Sequence, residues 1–282
     1  MIRPDLNGFS GACLEILSGR TPLRVRKRAS SPAGNARLRR QMEKQAAFAG
    51  LGASLRTPEI LDCGETDGCF HFDMEYVPGL DGHRFLEKCD PTDLRRFTGQ
   101  ISAFLEEAVA LPAVSQGNCA NLFTASVEKL LEVHVKNVGL DHALVGRLLL
   151  GLDQVRTLAP DTPGFCHGDF TLENIMVDEH GCLWLVDFLD STFEHPVQDY
   201  VKLSQDLLGG WFEMKSRIIS PAVQCYLHEN ISAKISTLNP AYSSMEPILL
   251  ALNFCRILPY ARSQREREFI LKRIQRFCHS RP

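Results

Sequence analysis

The densest run of chemistry-bearing side chains lies in residues 165–191, FCHGDFTLENIMVDEHGCLWLVDFLDS. His167 precedes Asp169 by two positions, Asn174 follows it by five, and Asp187 lies beyond a short turn. A carboxylate on a loop can orient a hydroxyl and accept its proton. An amide and a second carboxylate, brought close by a hairpin, can hold a hard divalent cation through oxygen. Together these are the parts that phosphoryl transfer from ATP to an alcohol requires: Asp169 for the hydroxyl proton, Asn174 and Asp187 as oxygen ligands that keep magnesium against the phosphates.

Such a set needs a scaffold. From Cys166 the sequence reads as a polar loop, a strand over 174–178, a Glu-His-Gly turn and a returning strand over 182–188. The first third is strand-rich. Residues 8–17 carry two glycines and then alternating apolar residues, and 23–29 alternate again. In that second strand Lys27 shares a face with Val25, while Arg24, Arg26 and Arg28 share the other. A helix is expected over 35–49, then strands over 58–61 and 69–76, ending at Val77-Pro78-Gly79. Beyond this the chain reads as mostly helical. The segment 91–109 presents Leu94, Phe97, Ile101, Phe104 and Leu105 at helical spacing. Helices are also expected over 121–135 and 141–158, and through most of 198–277.

His-Gly-Asp with Asn174 at Asp-x4-Asn spacing, followed across a hairpin by Asp187-Phe188, resembles the aminoglycoside phosphotransferases and choline kinases. Protein kinases share the Asp-x4-Asn spacing but end in Asp-Phe-Gly, whereas Leu189 stands here. The resemblance implies an α+β, bilobal, protein-kinase-like fold. Residues 1–77 would form a small β-rich, ATP-binding N-lobe with one main helix. Residues 78–282 would form a mostly helical lobe with the catalytic loop and acceptor site. It implies ATP and Mg2+ as cofactors, Asp169 as the catalytic group and Asn174 and Asp187 as metal ligands. His167 would shape the loop, and Asp199, in Pro196-Val197-Gln198-Asp199, would brace it. Lys27 would hold the α- and β-phosphates, oriented by Glu43, the one acid in residues 37–48. The backbone at Gly8, Ser10 and Gly11 would approach the phosphates closely. The backbone of Glu75 and Val77 would meet the adenine edge, with Met74, Tyr76 and Val25 as apolar contacts. Asp190-Ser191, just past the metal ligand, is the expected acceptor contact.

Composition narrows the partners. A formal charge of -3 gives no global case for nucleic-acid binding. No apolar run is long enough to span a membrane, and residues 1–10 lack the parts of a signal peptide. The ten cysteines are scattered, with no Cys-x-x-Cys pair, which points to a reducing cytoplasm. The expected partner is a small-molecule hydroxyl acceptor; the sequence carries no signal for an oligomeric state. A polycationic aminoglycoside suits poorly a C-terminal half that carries Arg256, Arg262, Arg265, Arg267, Lys272, Arg273 and Arg276 beside Glu194, Asp199, Asp206 and Glu213. A sugar or other polyhydroxy metabolite is the preferred acceptor, and choline-like amino alcohols come next. Trp211 and Phe212 could stack on a ring or cage an amine. A protein kinase is disfavoured, since no Ala-Pro-Glu motif or long activation segment follows Asp187. A nucleotide-binding pseudokinase is disfavoured because Lys27, Asp169, Asn174 and Asp187 are all present.

Overall fold

The computed structural model describes residues 12–19, 21–113, 119–136, 140–158, 164–189, 195–215 and 218–279. Near the start of the chain, β1 (Ala12–Leu17), β2 (Arg24–Ala29), β3 (Ile60–Thr66) and β4 (Cys69–Glu75) form an antiparallel sheet in the order β1-β2-β4-β3. The turn between β3 and β4 is Asp67-Gly68, both at positive φ (55° and 72°), the backbone that a two-residue hairpin of matching twist demands. The strand β3 runs to Thr66, where the sequence suggested an end near 61. Its register shifts between Ile60 and Asp62, and most of its residues are exposed, so no alternation marks it.

The helix α1 (Asn35–Ala49) lies between β2 and β3 in the chain. Asn35 fixes its start, donating to Gly68 O and accepting from Phe70 N. Its inward face is mixed: Leu38 and Phe48 are buried, but so are Gln41, Lys44 and Gln45. Leu38 joins a small core with Ala29, Phe70, Phe72 and Met74. Phe48 belongs instead to the large core, 4.8 Å from Phe165 and 5.4 Å from Phe188 between ring centroids. One helix therefore ties the small sheet to the rest of the molecule.

A second antiparallel sheet joins β5 (Gly79–Asp81), β6 (Ile175–Asp178) and β7 (Leu183–Leu185) in that order. The strand β5 begins at Gly79, where the sequence suggested that the strand-rich part of the chain ends. Gly79 permits it, since a Cβ there would meet Val177 O at 2.3 Å. The connection after α1 also docks here: Arg56 N donates to Leu183 O and Leu185 N to Arg56 O.

The remainder is helical: α2 (Gly82–Leu86), α3 (Pro91–Ala110), α4 (Cys119–Lys136), α5 (His142–Leu158), α6 (Pro196–Leu207), α7 (Pro221–Leu238), α8 (Tyr242–Ile257) and α9 (Gln264–His279). Asp90 caps α3 by accepting from Thr92 N and Asp93 N, ahead of Pro91 at the first helical position. The expected stripe on α3 is buried at Phe97, Ile101, Phe104 and Leu105. The helix α8 packs against α5, α6 and α9 and is buried over most of its length. Every residue of α6 is buried, although half are polar. Among the described residues no helix is long and apolar enough to cross a membrane.

Candidate active site

The loop before β6 is built around a glycine. Gly168 has φ 90°, and a Cβ there would sit 2.2 Å from Leu189 O. A side chain at this position would push apart the segments that carry Asp169 and Asp187. Asp199, on the first turn of α6, receives the loop's backbone: Gly168 N donates to Oδ1 at 2.8 Å and His167 N to Oδ2 at 2.5 Å. The Cys166 thiol also donates to Oδ1, at 3.3 Å. Burial pushes the Asp199 carboxyl up to about 6, against these hydrogen bonds that favour its charged form. A second anchor lies two turns along the same helix. Asp206 Oδ2 accepts from Leu172 N at 2.8 Å, with His83 Nε2 3.7 Å away.

His167 is fully buried, and burial pulls its imidazole down to about 4. Asp169 N donates to Nδ1 at 3.3 Å, so Nε2 carries the proton and donates to Val186 O at 3.0 Å. The ring is a neutral spacer between loop and hairpin.

Asp169 itself is only partly buried. Asn174 Nδ2 holds its carbonyl at 2.8 Å and its Oδ2 at 3.1 Å. Lys202 Nζ, from α6, sits 3.0 Å from Oδ1. Burial would raise the carboxyl, but the Lys202 ammonium beside it, with a smaller push from the Arg256 guanidinium, outweighs it and holds it below its ordinary value. Asp169 is therefore a carboxylate at neutral pH, fixed at both oxygens.

Asp187 stands across the hairpin with φ 62°, a left-handed backbone that a non-glycine residue adopts at a cost of about 1–3 kcal/mol. The strain is held by its surroundings. Leu189 N donates to His167 O at 3.0 Å, and Lys44 Nζ from α1 donates to Leu189 O at 2.9 Å. Asp187 Oδ1 pairs with Lys27 Nζ from β2. The structure thus brings Lys27, Asn174, Asp169 and Asp187 together from distant parts of the chain.

The expected partner of Lys27 is corrected. Lys27 Nζ donates to Gln41 Oε1 at 2.9 Å, whereas Glu43 is exposed. On α1 the positions 38, 41, 45 and 48 form the inward stripe, and Glu43 lies off it. Searching for an acid missed the amide. The arginines on the other face of β2 are accounted for in part by Arg26, which binds Asp73 through Nε at 2.7 Å and Nη2 at 2.9 Å. That pairing holds the Asp73 carboxyl below its usual range.

Val25 and Met74 are cross-strand partners on the Lys27 face, and Val77 is buried at the end of the passage out of β4. The Glu75 amide is already engaged, donating to Glu59 O at 3.0 Å, and Tyr76 N donates to Leu23 O. Gly8, Ser10, Gly11, Asp190 and Ser191 lie outside the described residues. Trp211 packs on the large core and Phe212 is buried, 4.9 Å from His83. Phe212 is thus a core side chain.

Sequence reasoning passed over Lys202 and Asp206 as site residues, though a signal existed. Asp199, Lys202 and Asp206 recur at i, i+3 and i+7, one face of a helix. That face meets the catalytic loop.

The profile of the phosphotransferase enzyme family matches residues 2–219. No curated protein matches the sequence. Among solved structures, a thermostable mutant of aminoglycoside phosphotransferase APH(4)-Ia, in ternary complex with ADP and hygromycin B, is similar with a TM-score of 0.67 and 14% identity, over 94% of this chain and 93% of that one. The streptomycin-ATP complex of APH(2")-IIa gives 0.62 and 13%, over 100% and 98%. A protein described as a fructosamine-3-kinase, from Haemophilus somnus 129PT, gives 0.65 and 13%, over 95% and 88%. At such identities the likeness is one of fold. It is the fold in which the Asp169 loop, the Asp187 hairpin and the Lys27 strand meet, and with the family profile spanning most of the chain, this protein belongs to the phosphotransferase enzyme family.

Proposed function

We propose that the protein transfers the γ-phosphoryl group of ATP, with magnesium, to a hydroxyl of a small polyhydroxy molecule, a sugar in the first instance. The observation that carries this reading is Asp169: a partly open carboxylate, held ionised by Lys202 and oriented by Asn174, on a loop hydrogen-bonded to the segment that carries a second carboxylate, Asp187, on a strained turn. The acceptor's oxygen forms a bond to the γ-phosphorus while the bond to the β,γ-bridging oxygen breaks. ADP leaves, and the hydroxyl proton passes to the Asp169 carboxylate.

Asn174 uses its Nδ2 on Asp169, which leaves Oδ1 as a donor beside the Asp187 carboxylate. An all-oxygen pair fits magnesium, which keeps water and phosphate oxygens in its remaining positions. Magnesium, when bound, neutralises phosphate charge. Lys27 would hold the α- and β-phosphates, positioned by Gln41. Because the Glu75 amide is occupied, an adenine edge would use the Glu75 carbonyl and the Val77 amide, with Met74, Tyr76 and Val25 alongside. Gly8, Ser10 and Gly11 remain the proposed backbone contacts to phosphate. On this reading residues 1–77 serve the nucleotide and 78–282 the acceptor. The similar folds that hold ATP with streptomycin, or ADP with hygromycin B, support a nucleotide site, and the fructosamine-3-kinase name supports a sugar-like acceptor.

The test is ADP formation across a panel of sugars, amino alcohols and aminoglycosides. Magnesium-dependent turnover with a polyhydroxy acceptor is expected. Turnover confined to amino alcohols or aminoglycosides would replace the acceptor class, and no turnover with any would contradict the kinase reading.

A further inference from the structure

Resting on that kinase reading, we propose that the acceptor carries an anionic group, a carboxylate or a phosphate ester, beside the hydroxyl that is phosphorylated, and that Arg256 and Lys202 receive it.

Lys202, almost fully buried, reaches Asp169 Oδ1 from α6. Arg256 stands on the last turn of α8, which packs against α6, and its charge is felt at Asp169. Two cations thus act on one carboxylate. The other buried acids of this wall are committed elsewhere: Asp199 and Asp206 accept from backbone amides of the loop, and Glu246 of α8 accepts from Ser204 and pairs with His228.

Arg256 is half-buried and forms no direct ion pair among the described residues. Its polar partner is Asn253, one turn back on the same helix, whose Oδ1 lies 3.5 Å from Nη1. Asn253 is 2% exposed, and its Nδ2 is buried without a partner. A guanidinium held part-way out of water, with no directly bonded carboxylate among the described residues, matches the planar, two-oxygen geometry of a carboxylate or phosphate. An acceptor bearing ammonium groups here would meet like charge instead. A neutral sugar would leave the guanidinium partly desolvated without compensation.

The experiment measures phosphoryl transfer from γ-labelled ATP to four matched acceptors, glucose, glucuronate, glucose 6-phosphate and glucosamine, and to small-molecule extract of the source cells split by ion exchange into anionic, neutral and cationic fractions. Label is expected with the anionic acceptors or in the anionic fraction. Treating that fraction with phosphatase beforehand separates the sources, since a phosphate-ester acceptor is destroyed and a sugar acid survives. Arg256→Glu should lower kcat/KM for the anionic acceptor by about 10- to 100-fold, with KM for ATP within about twofold. Arg256→Gln, closer in shape, should lower it less and guards against misfolding of the charge reversal. Labelling confined to neutral or cationic acceptors, and lost in Asp169→Ala, would overturn the proposal and leave the kinase reading standing. So would an Arg256→Gln enzyme with undiminished use of the anionic acceptor. No labelling with any acceptor or fraction would contradict the kinase reading itself.

Discussion

The catalytic loop and the nucleotide-side lysine are secured in opposite ways. The loop is braced by buried carboxylates: Asp199 takes the His167 and Gly168 amides, and Asp206 takes that of Leu172. Lys27 has a neutral amide, Gln41, from α1, and among the described residues its carboxylate partner is Asp187, beyond the hairpin. Both sets of hydrogen bonds are charge-assisted, the loop's through ionised acceptors and the lysine's through an ionised donor, so they differ in whether a ligand can take over the partner's place. The difference teaches that the loop's geometry is fixed before any ligand arrives. On the proposed reading the lysine would instead move its charge from Asp187 to phosphate, with Gln41 keeping it in place during the exchange.

The comparison can be tested from either side. The largest effect is expected where the two regions meet. Asp187→Ala removes the proposed metal ligand and the partner of Lys27 together, and kcat/KM should fall about a thousandfold. Magnesium titration of the variant checks the cause, because added metal should not restore the rate. Next comes Asp199→Ala, which strands two buried amides. Urea unfolding should register a loss of about 3 kcal/mol, far more than any single change around Lys27 outside Asp187.

Acid should weaken the braced region. His167 and His195 are held near 4 by burial, against an ordinary 6.5. The unfolded chain takes up protons that the folded chain refuses, so their contribution to stability is lost as pH falls from 6.5 toward 4. Asp199, raised to about 6 from 3.8, acts the other way over 6 to 3.8, because the folded form protonates first. Two groups against one leave a net loss of about 2 kcal/mol by pH 5. Stability unchanged between pH 7 and 5 would show that the histidines are not buried neutral.

The neutral side should respond least. Gln41→Ala should raise KM for ATP by about two- to tenfold with little change in kcat, the worth of one hydrogen bond. Glu43→Ala should stay within about twofold. The reverse ranking would restore the carboxylate as the partner of Lys27.

How much of this was legible depended on how far each function is spread along the chain. Asp169, Asn174 and Asp187 sit on one loop and one hairpin, so their spacing is fixed locally and readable. Asp199 follows closely and could be read by likeness. The helix over 35–49 was readable from composition and periodicity, and its bounds match α1. Its partner residue was not: which α1 side chain meets Lys27 depends on the helix's rotation over the sheet, and that is set by Leu38 in one core and Phe48 in the other. Lys202 and Arg256 come from two helices, α6 and α8, that pack together, and nothing local announces that Lys202 reaches Asp169. The strand β5 is only three residues long and pairs with a segment nearly a hundred positions later, so its partner, not its own pattern, makes it a strand.

The most direct test of the central claim sets two readouts on one variant. Asp169→Ala should lose acceptor phosphorylation by about 10²- to 10⁴-fold, while magnesium-dependent binding of a non-hydrolysable ATP analogue stays within about twofold of the native protein. Retained turnover in that variant would contradict the account, because the carboxylate around which Asn174, Lys202 and the whole loop are arranged would then have no part in the transfer.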